Sequence, residues 1–203
     1  MAVTINGTTG ITTPGMSSSG DITLAGSGVE LLNNSGRIVV GQSGSILQVV
    51  STTKTSQFTS TTVGSVVDIT GMSASITPTS TSSKILIMVK LMVGNSGAQN
   101  TTFVLQLYRG ATLINSGDTA GNRTLGFSGS EEGISTNTYG QYQTYDYCTQ
   151  FLDSPASTSS QTYKVSVYLA ATNTFCINST GLDSDTSAFP RGTSNIILME
   201  VAQ

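Results

Sequence analysis

The chain has 203 residues, among them 8 basic and 11 acidic side chains, 22 glycines, 30 serines, 32 threonines, no histidine and no tryptophan. Without histidine there is no Ser-His-Asp or Cys-His nucleophile pair and no imidazole ligand for a metal. Eight basic residues placed singly between Arg37 and Arg191, at a pI of about 4.7, cannot form the clustered footprint that neutralises a phosphate backbone, so nucleic acid is set aside as a partner.

Residues 1–45 differ from the rest. Short strand-like pieces at 3–5, 22–24, 29–32 and 37–40 are separated by glycines, by Pro14 and by Asn33 and Asn34. Strands of three or four residues cannot bury a core of their own. This part is expected to lie as an extended arm on a larger partner, or to intertwine with copies of itself as a stem. Its opening has neither a basic stretch nor an apolar run of the kind a secretory signal needs, so the protein is expected to be made in a cytoplasm.

From residue 46 the alternation of apolar and polar side chains becomes regular. Strands are expected at 46–54, 57–63, 65–70 and 72–77, the last stopped by Pro78. The strongest follows at 84–93. It is apolar on both faces, as a strand between a partner sheet and a subunit interface would be, and at about half a bilayer span with Lys90 inside it no membrane insertion is expected. Segments 102–109 and 111–114 flank Gly110 as a hairpin. Residues 115–138 are poorly patterned, and strands resume at 139–152, 162–170 and 174–177. A second irregular stretch covers 179–192, and the closing strand 195–201, apolar at successive positions, is expected in the middle of a sheet.

No window shows the apolar stripe of a helix. About ten strands between 46 and 203 describe an all-β chain, an N-terminal arm or stem (1–45) followed by a β-sandwich jelly roll (46–203). Cys148 and Cys176 lie in separate strands, and are expected as small buried hydrophobes, with a disulfide as the alternative.

Three groups of side chains invite a binding role. Tyr139 and Tyr142 open a tyrosine-rich stretch whose rings could stack on sugar faces, although packing between sheets is the plainer account. Glu131 and Glu132 are adjacent, so they have no fixed separation for an acid pair and read as solvated loop charge. Asp183 and Asp185 have part of a calcium-loop spacing without its glycine and closing glutamate, so no metal is expected. The glycine-rich N-terminus matches no phosphate loop, and no cofactor is expected.

The chain resembles a family at this point: the C-terminal jelly-roll modules of tailed-phage fibre and appendage proteins. The residues that carry the resemblance are Leu47-Gln-Val-Val-Ser-Thr-Thr-Lys54, the segment 76–87 around Thr77-Pro-Thr-Ser80, Leu107-Tyr-Arg-Gly-Ala-Thr112, Phe151-Leu-Asp-Ser-Pro155, Thr162-Tyr-Lys-Val165, and Arg191-Gly-Thr-Ser194 with Met199-Glu-Val201. Residues 5–14 also look like the opening of phage fibre proteins. The resemblance implies a non-enzymatic virion protein, assembled in the host cytoplasm, trimeric, with a fold similar to the jelly roll of C1q and tumour necrosis factor.

On this reading the trimer interface draws on Ile85, Ile87, Met88, Ile197 and Met199. The arm joins other virion proteins, and a host-surface glycan meets Tyr139, Tyr142, Glu131, Glu132, Asp183 and Asp185. The alternative is a head decoration or cement protein, or a head fibre. A polysaccharide depolymerase is disfavoured, because the chain is too short for a long parallel β-helix and shows no credible acid pair.

Overall fold

The computed structural model describes residues 43–95, 102–131, 138–171 and 174–203, all within one compact unit, Gly41–Gln203. The arm expected at 1–45 thus falls, for 1–42, outside the described residues. Eleven strands are described: β1 Ile46–Lys54, β2 Phe58–Ser60, β3 Val66–Ile76, β4 Lys84–Asn95, β5 Thr102–Arg109, β6 Thr112–Ile114, β7 Ser128–Glu131, β8 Thr144–Asp153, β9 Gln161–Leu169, β10 Phe175–Ile177 and β11 Ser194–Val201. All the strand pairings are antiparallel.

One sheet runs β1-β11-β4, with β8 on the other edge of β4; the second runs β3-β9-β5, with β6 and β7 sharing the far edge of β5. Counting β6 and β7 as one position and leaving out the three-residue strands β2 and β10, the principal strands are eight. Their order is then 1-8-3-6 in one sheet and 2-7-4-5 in the other, the interleaving of a jelly roll. β10 carries the β11 side of β4 onward, pairing Ile177 with Val93, and β2 adds to β10. The closing strand is central, as its continuous apolar character requires.

The core follows from the period of two. On β4, Ile85, Ile87, Val89, Leu91 and Val93 are all at most 3 % exposed and face Phe103, Leu105 and Leu107 of β5 and Tyr163, Val165 and Val167 of β9 across the sandwich. Phe103 meets the rings of Tyr147 and Phe175 edge-on, at centroid distances of 5.4 and 5.1 Å. The intervening side chains Leu86, Met88, Lys90 and Met92 point outward and are half-buried. Ile85 and Ile87 are therefore corrected as interface residues: both are 0 % exposed inside the sandwich, because strand alternation puts them on the face opposite Met88.

Two buried carboxylates close the end at which the described chain begins. Glu200 accepts hydrogen bonds from the Gln48 side-chain amide (2.6 Å) and from both the backbone N–H and the hydroxyl of Thr79 (2.7 Å each), tying the β3–β4 turn to β11. Asp153 accepts from Arg109 (2.6 Å) and from the Tyr163 hydroxyl (2.7 Å), fastening the ends of β8, β5 and β9. Gly44 and Ser45 already belong to this fold, since the Gly44 N–H donates to the Ala202 carbonyl and the Ala202 N–H to that of Ser45.

Three local expectations change. Segments 65–70 and 72–77 form a single strand, β3, broken in register between Asp68 and Ser73, where Gly71 has a φ of 83° that favours glycine. Residues 115–138 are not all loop, because Ser128–Glu131 pairs with β5, and the stretch before it lies along that strand: the Gln106 side chain donates to the Leu125 carbonyl, and the Phe127 N–H to that of Leu105. The strand expected at 139–152 begins only at Thr144, after a short 3-10 helix, Thr138–Tyr142.

Candidate functional site

Register defines the two ends of the sandwich. Ile46 pairs with Val201 and Lys54 with Ser194, so the stretch 178–193 lies at the end of β1 remote from where the chain enters, a strand length of about 30 Å away. Gly94, which pairs with Thr144, shows that the 3-10 helix lies at this remote end too.

Asn178 anchors the stretch. Its φ of 63° turns the chain out of β10, and its buried side chain donates to the carbonyls of Lys54 (2.8 Å) and Ser56 (3.2 Å) while accepting from the Ser194 hydroxyl (2.7 Å). The same hydroxyl accepts from the Met92 N–H, so both roots of the stretch are bound to the sheet. It crosses β4 so closely that a Cβ on Gly94 would collide with the Ser179 carbonyl, a position only glycine fills.

Above this anchor the side chains converge. Asp183 takes hydrogen bonds from Arg191 (2.6 Å) and from the Gln57 amide (3.2 Å), which also donates to the Ser179 hydroxyl. The Leu182 N–H donates to the Gln141 carbonyl, joining the stretch to the 3-10 helix, and the Tyr142 ring stacks on Phe189 at 5.8 Å and 12°. Asp183, Ser184, Asp185, Thr186, Phe189 and Arg191 line an open concavity of about 230 Å³. That is below the roughly 300 Å³ at which drug-sized pockets begin. The lining thus offers carboxylates that accept hydrogen bonds, a guanidinium that donates, hydroxyls for either role, and Phe189 backed by the Tyr142 ring.

Tyr142, Asp183 and Asp185 are therefore brought together. Tyr139 lies in the same 3-10 helix, and Glu131, pairing with Thr102, ends β7 at the same end of its sheet; Glu132 lies outside the described residues. Sequence reading missed Phe189, Arg191 and Gln57 as site residues. An aromatic and a cation flanking Pro190 within an irregular stretch were the available signal, whereas Gln57 arrives from a distant strand connection and left none. Tyr147 pairs with Leu91 and packs on Phe103 inside the sandwich, whereas Tyr145, opposite Val93 near the end of β8, is 46 % exposed and donates its hydroxyl to the Gln143 side chain (2.7 Å). Among the described residues no cluster of three His, Cys, Asp or Glu side chains could hold a metal, and no helix is long and apolar enough to cross a membrane.

A second feature covers the outer face of the β1-β11-β4-β8 sheet. Val49, Met199, Leu86 and Leu152 form a row across four strands, and Ile197 and Met88 sit in the next row between Ser51 and Gln150. Val49 is 56 % exposed and Leu152 46 %, and Ile46 and Leu47 continue the apolar surface towards the chain entry. The third row turns polar, with Thr53, Asn195, Lys90 and Cys148. Cys148 is exposed and free, which corrects its expected burial, whereas Cys176 is buried and also free. Burial pushes the Cys176 thiol up to about 11, the Asp183 charge adding to it against a Ser179 hydrogen bond.

No family model matches the chain, and no curated protein sequence matches it. Among solved structures it is similar to the VP2 subviral particle of infectious bursal disease virus, with a TM-score of 0.38 at 14 % identity, covering 77 % of this chain and 38 % of that one. It is also similar to T=1 particles derived from the same virus (TM-score 0.37, 10 % identity, 77 % and 36 % covered) and to the Gx strain of that virus (0.33, 12 %, 78 % and 43 %). The chain spans less than half the length of each.

Proposed function

We propose that the chain is a non-enzymatic structural protein of a tailed-phage virion, a short homotrimeric fibre that joins other virion proteins through residues 1–42 and presents its jelly roll to a host-surface glycan. The observation that carries this reading is the placement of the concavity at the end of the sandwich opposite the chain entry. A fibre tethered by its N-terminal part displays that end outward. The apolar rows of Val49, Met199, Leu86 and Leu152 and of Ile197 and Met88 supply the surface on which copies associate, since contiguous apolar patches of this kind mark association sites.

Each saccharide site is shallow and is expected to bind at roughly millimolar affinity, about 4 kcal/mol. Useful adhesion comes from several copies acting together. The test is to label virions with an antibody to the jelly roll in the electron microscope and to measure adsorption of particles carrying Tyr142→Ala. Label at a tail or collar with slowed adsorption is the expected result. Label spread over the head with normal adsorption overturns it in favour of a decoration protein.

A further inference from the structure

Resting on the saccharide reading above, the charge arrangement in the concavity distinguishes one class of saccharide from another. Arg191 is the cation of the lining, and its guanidinium is held at 2.6 Å by Asp183. Asp183 is in turn occupied by Arg191 and by the Gln57 amide. Asp185, exposed on the same wall, has no hydrogen-bond or ion-pair partner among the described residues, so it is the uncompensated charge of the site.

Among the described residues no other cation corrects this. Lys54, the basic residue at the end of β1, is buried and donates to the Ser56 hydroxyl, and Lys90 on the outer sheet face is paired with Asp146 at 3.3 Å. The chain as a whole carries a net charge of -3, so the wider field has the same sign.

We infer that the concavity selects saccharides without acidic groups and favours those bearing an unacetylated amine, whose ammonium takes Asp185 as its counter-ion. A uronate or sialate carboxylate entering here finds Arg191 already neutralised and meets Asp185 as a like charge. A neutral ring is indifferent to Asp185 beyond a hydroxyl hydrogen bond. An exposed ammonium–carboxylate pair contributes little in water, so the preference for amine over neutral ring is expected at roughly fivefold at low salt, fading as salt is added.

The experiment uses the full chain on an array of saccharides of the neutral, amine-bearing and acidic classes. Affinities are then measured for a glucosamine oligomer, the N-acetylglucosamine oligomer of equal length and a galacturonate oligomer at low and high salt. Amine above neutral, with the acidic oligomer undetected, is the expected order, and Asp185→Asn should abolish the preference, bringing the amine and neutral affinities to within about a factor of two of each other. Tyr142→Ala leaves the net charge unchanged, so amine binding that survives in it is diffuse attraction to an acidic protein and overturns the inference. Acidic members bound as well as neutral ones, or an amine preference unaltered in Asp185→Asn, also overturn it and leave the saccharide reading standing. An array with no binder in any class overturns the saccharide reading itself.

Discussion

Glu200 shows how a single carboxylate can lock one end of a sandwich. Burial alone raises a carboxyl pKa, but hydrogen bonds from Gln48, Thr79 and Ser83 outweigh it and bring Glu200 down to about 2. A folded-state value below the unfolded one means that its contribution is complete above about pH 5 and is lost as the pH falls from there towards 2. Glu200→Gln sets an amide N–H2 against donors that need an acceptor, and is expected to cost roughly 2 kcal/mol at neutral pH. Thermal unfolding from pH 7 to 2 checks this: the gap between wild type and variant should narrow below pH 4, and a constant gap contradicts the assignment. At the same end, burial followed by the hydrogen bond to Asp153 and the charge of Asp153 pushes the Tyr163 hydroxyl well above its usual range. Tyr163→Phe should cost about 1–2 kcal/mol in urea unfolding, because Asp153 keeps Arg109 but loses a buried donor.

At the scale of the strand, β4 offers a test in which adjacent residues give opposite outcomes. Ile87 is sealed between the sheets, so Ile87→Asp buries an unpaired charge and should leave no folded protein. Met88 lies on the outer face beside Ile197, so Met88→Asp should leave the jelly roll folded and separate the copies. Circular dichroism with light scattering distinguishes the two, and an unchanged oligomer in Met88→Asp removes this face from assembly. The close crossing at Gly94 gives a third element-scale prediction. Gly94→Ala forces the buried backbone at Ser179 away from β4, and should lower saccharide binding several-fold and stability by about 1–3 kcal/mol, roughly 10 °C in melting temperature. Unchanged melting temperature and binding in this variant would contradict the close crossing of Ser179 over β4.

For the whole molecule the expected assembly is a homotrimer of 63 kDa, three times the 21.0 kDa chain. Its physical basis is an outer sheet face on which Val49 and Leu152 are about half exposed in the isolated chain. Cutting at residue 42, just before the backbone pairing of Gly44 with Ala202, should leave a soluble and still trimeric domain that no longer enters particles. Light scattering that gives 21 kDa at micromolar concentration, for the full chain or the truncated one, contradicts this assembly.

Strand alternation in the sequence already contained most of the sandwich. Segments 46–54 and 102–109 coincide with β1 and β5, because β-branched and aromatic side chains repeating every second residue leave few other ways to bury one face. The same period could not say which apolar face of β4 turns inward, since both qualify; packing against β5 and β9 chose Ile85 and Ile87 for the core and left Met88 outside. β7 was illegible because Ser128-Gly-Ser-Glu131 has no side-chain pattern and exists through backbone pairing with β5. Tyr142 was legible as an aromatic but was assigned to a strand, because alternation over five residues does not separate a 3-10 turn from an extended chain. The site itself came from tertiary structure. Gln57, Gln141 and the 178–193 stretch are far apart along the chain, and only the register of β1 with β11, the crossing over Gly94 and the anchor of Asn178 bring Asp183, Asp185, Arg191, Phe189 and Tyr142 to one end of the fold.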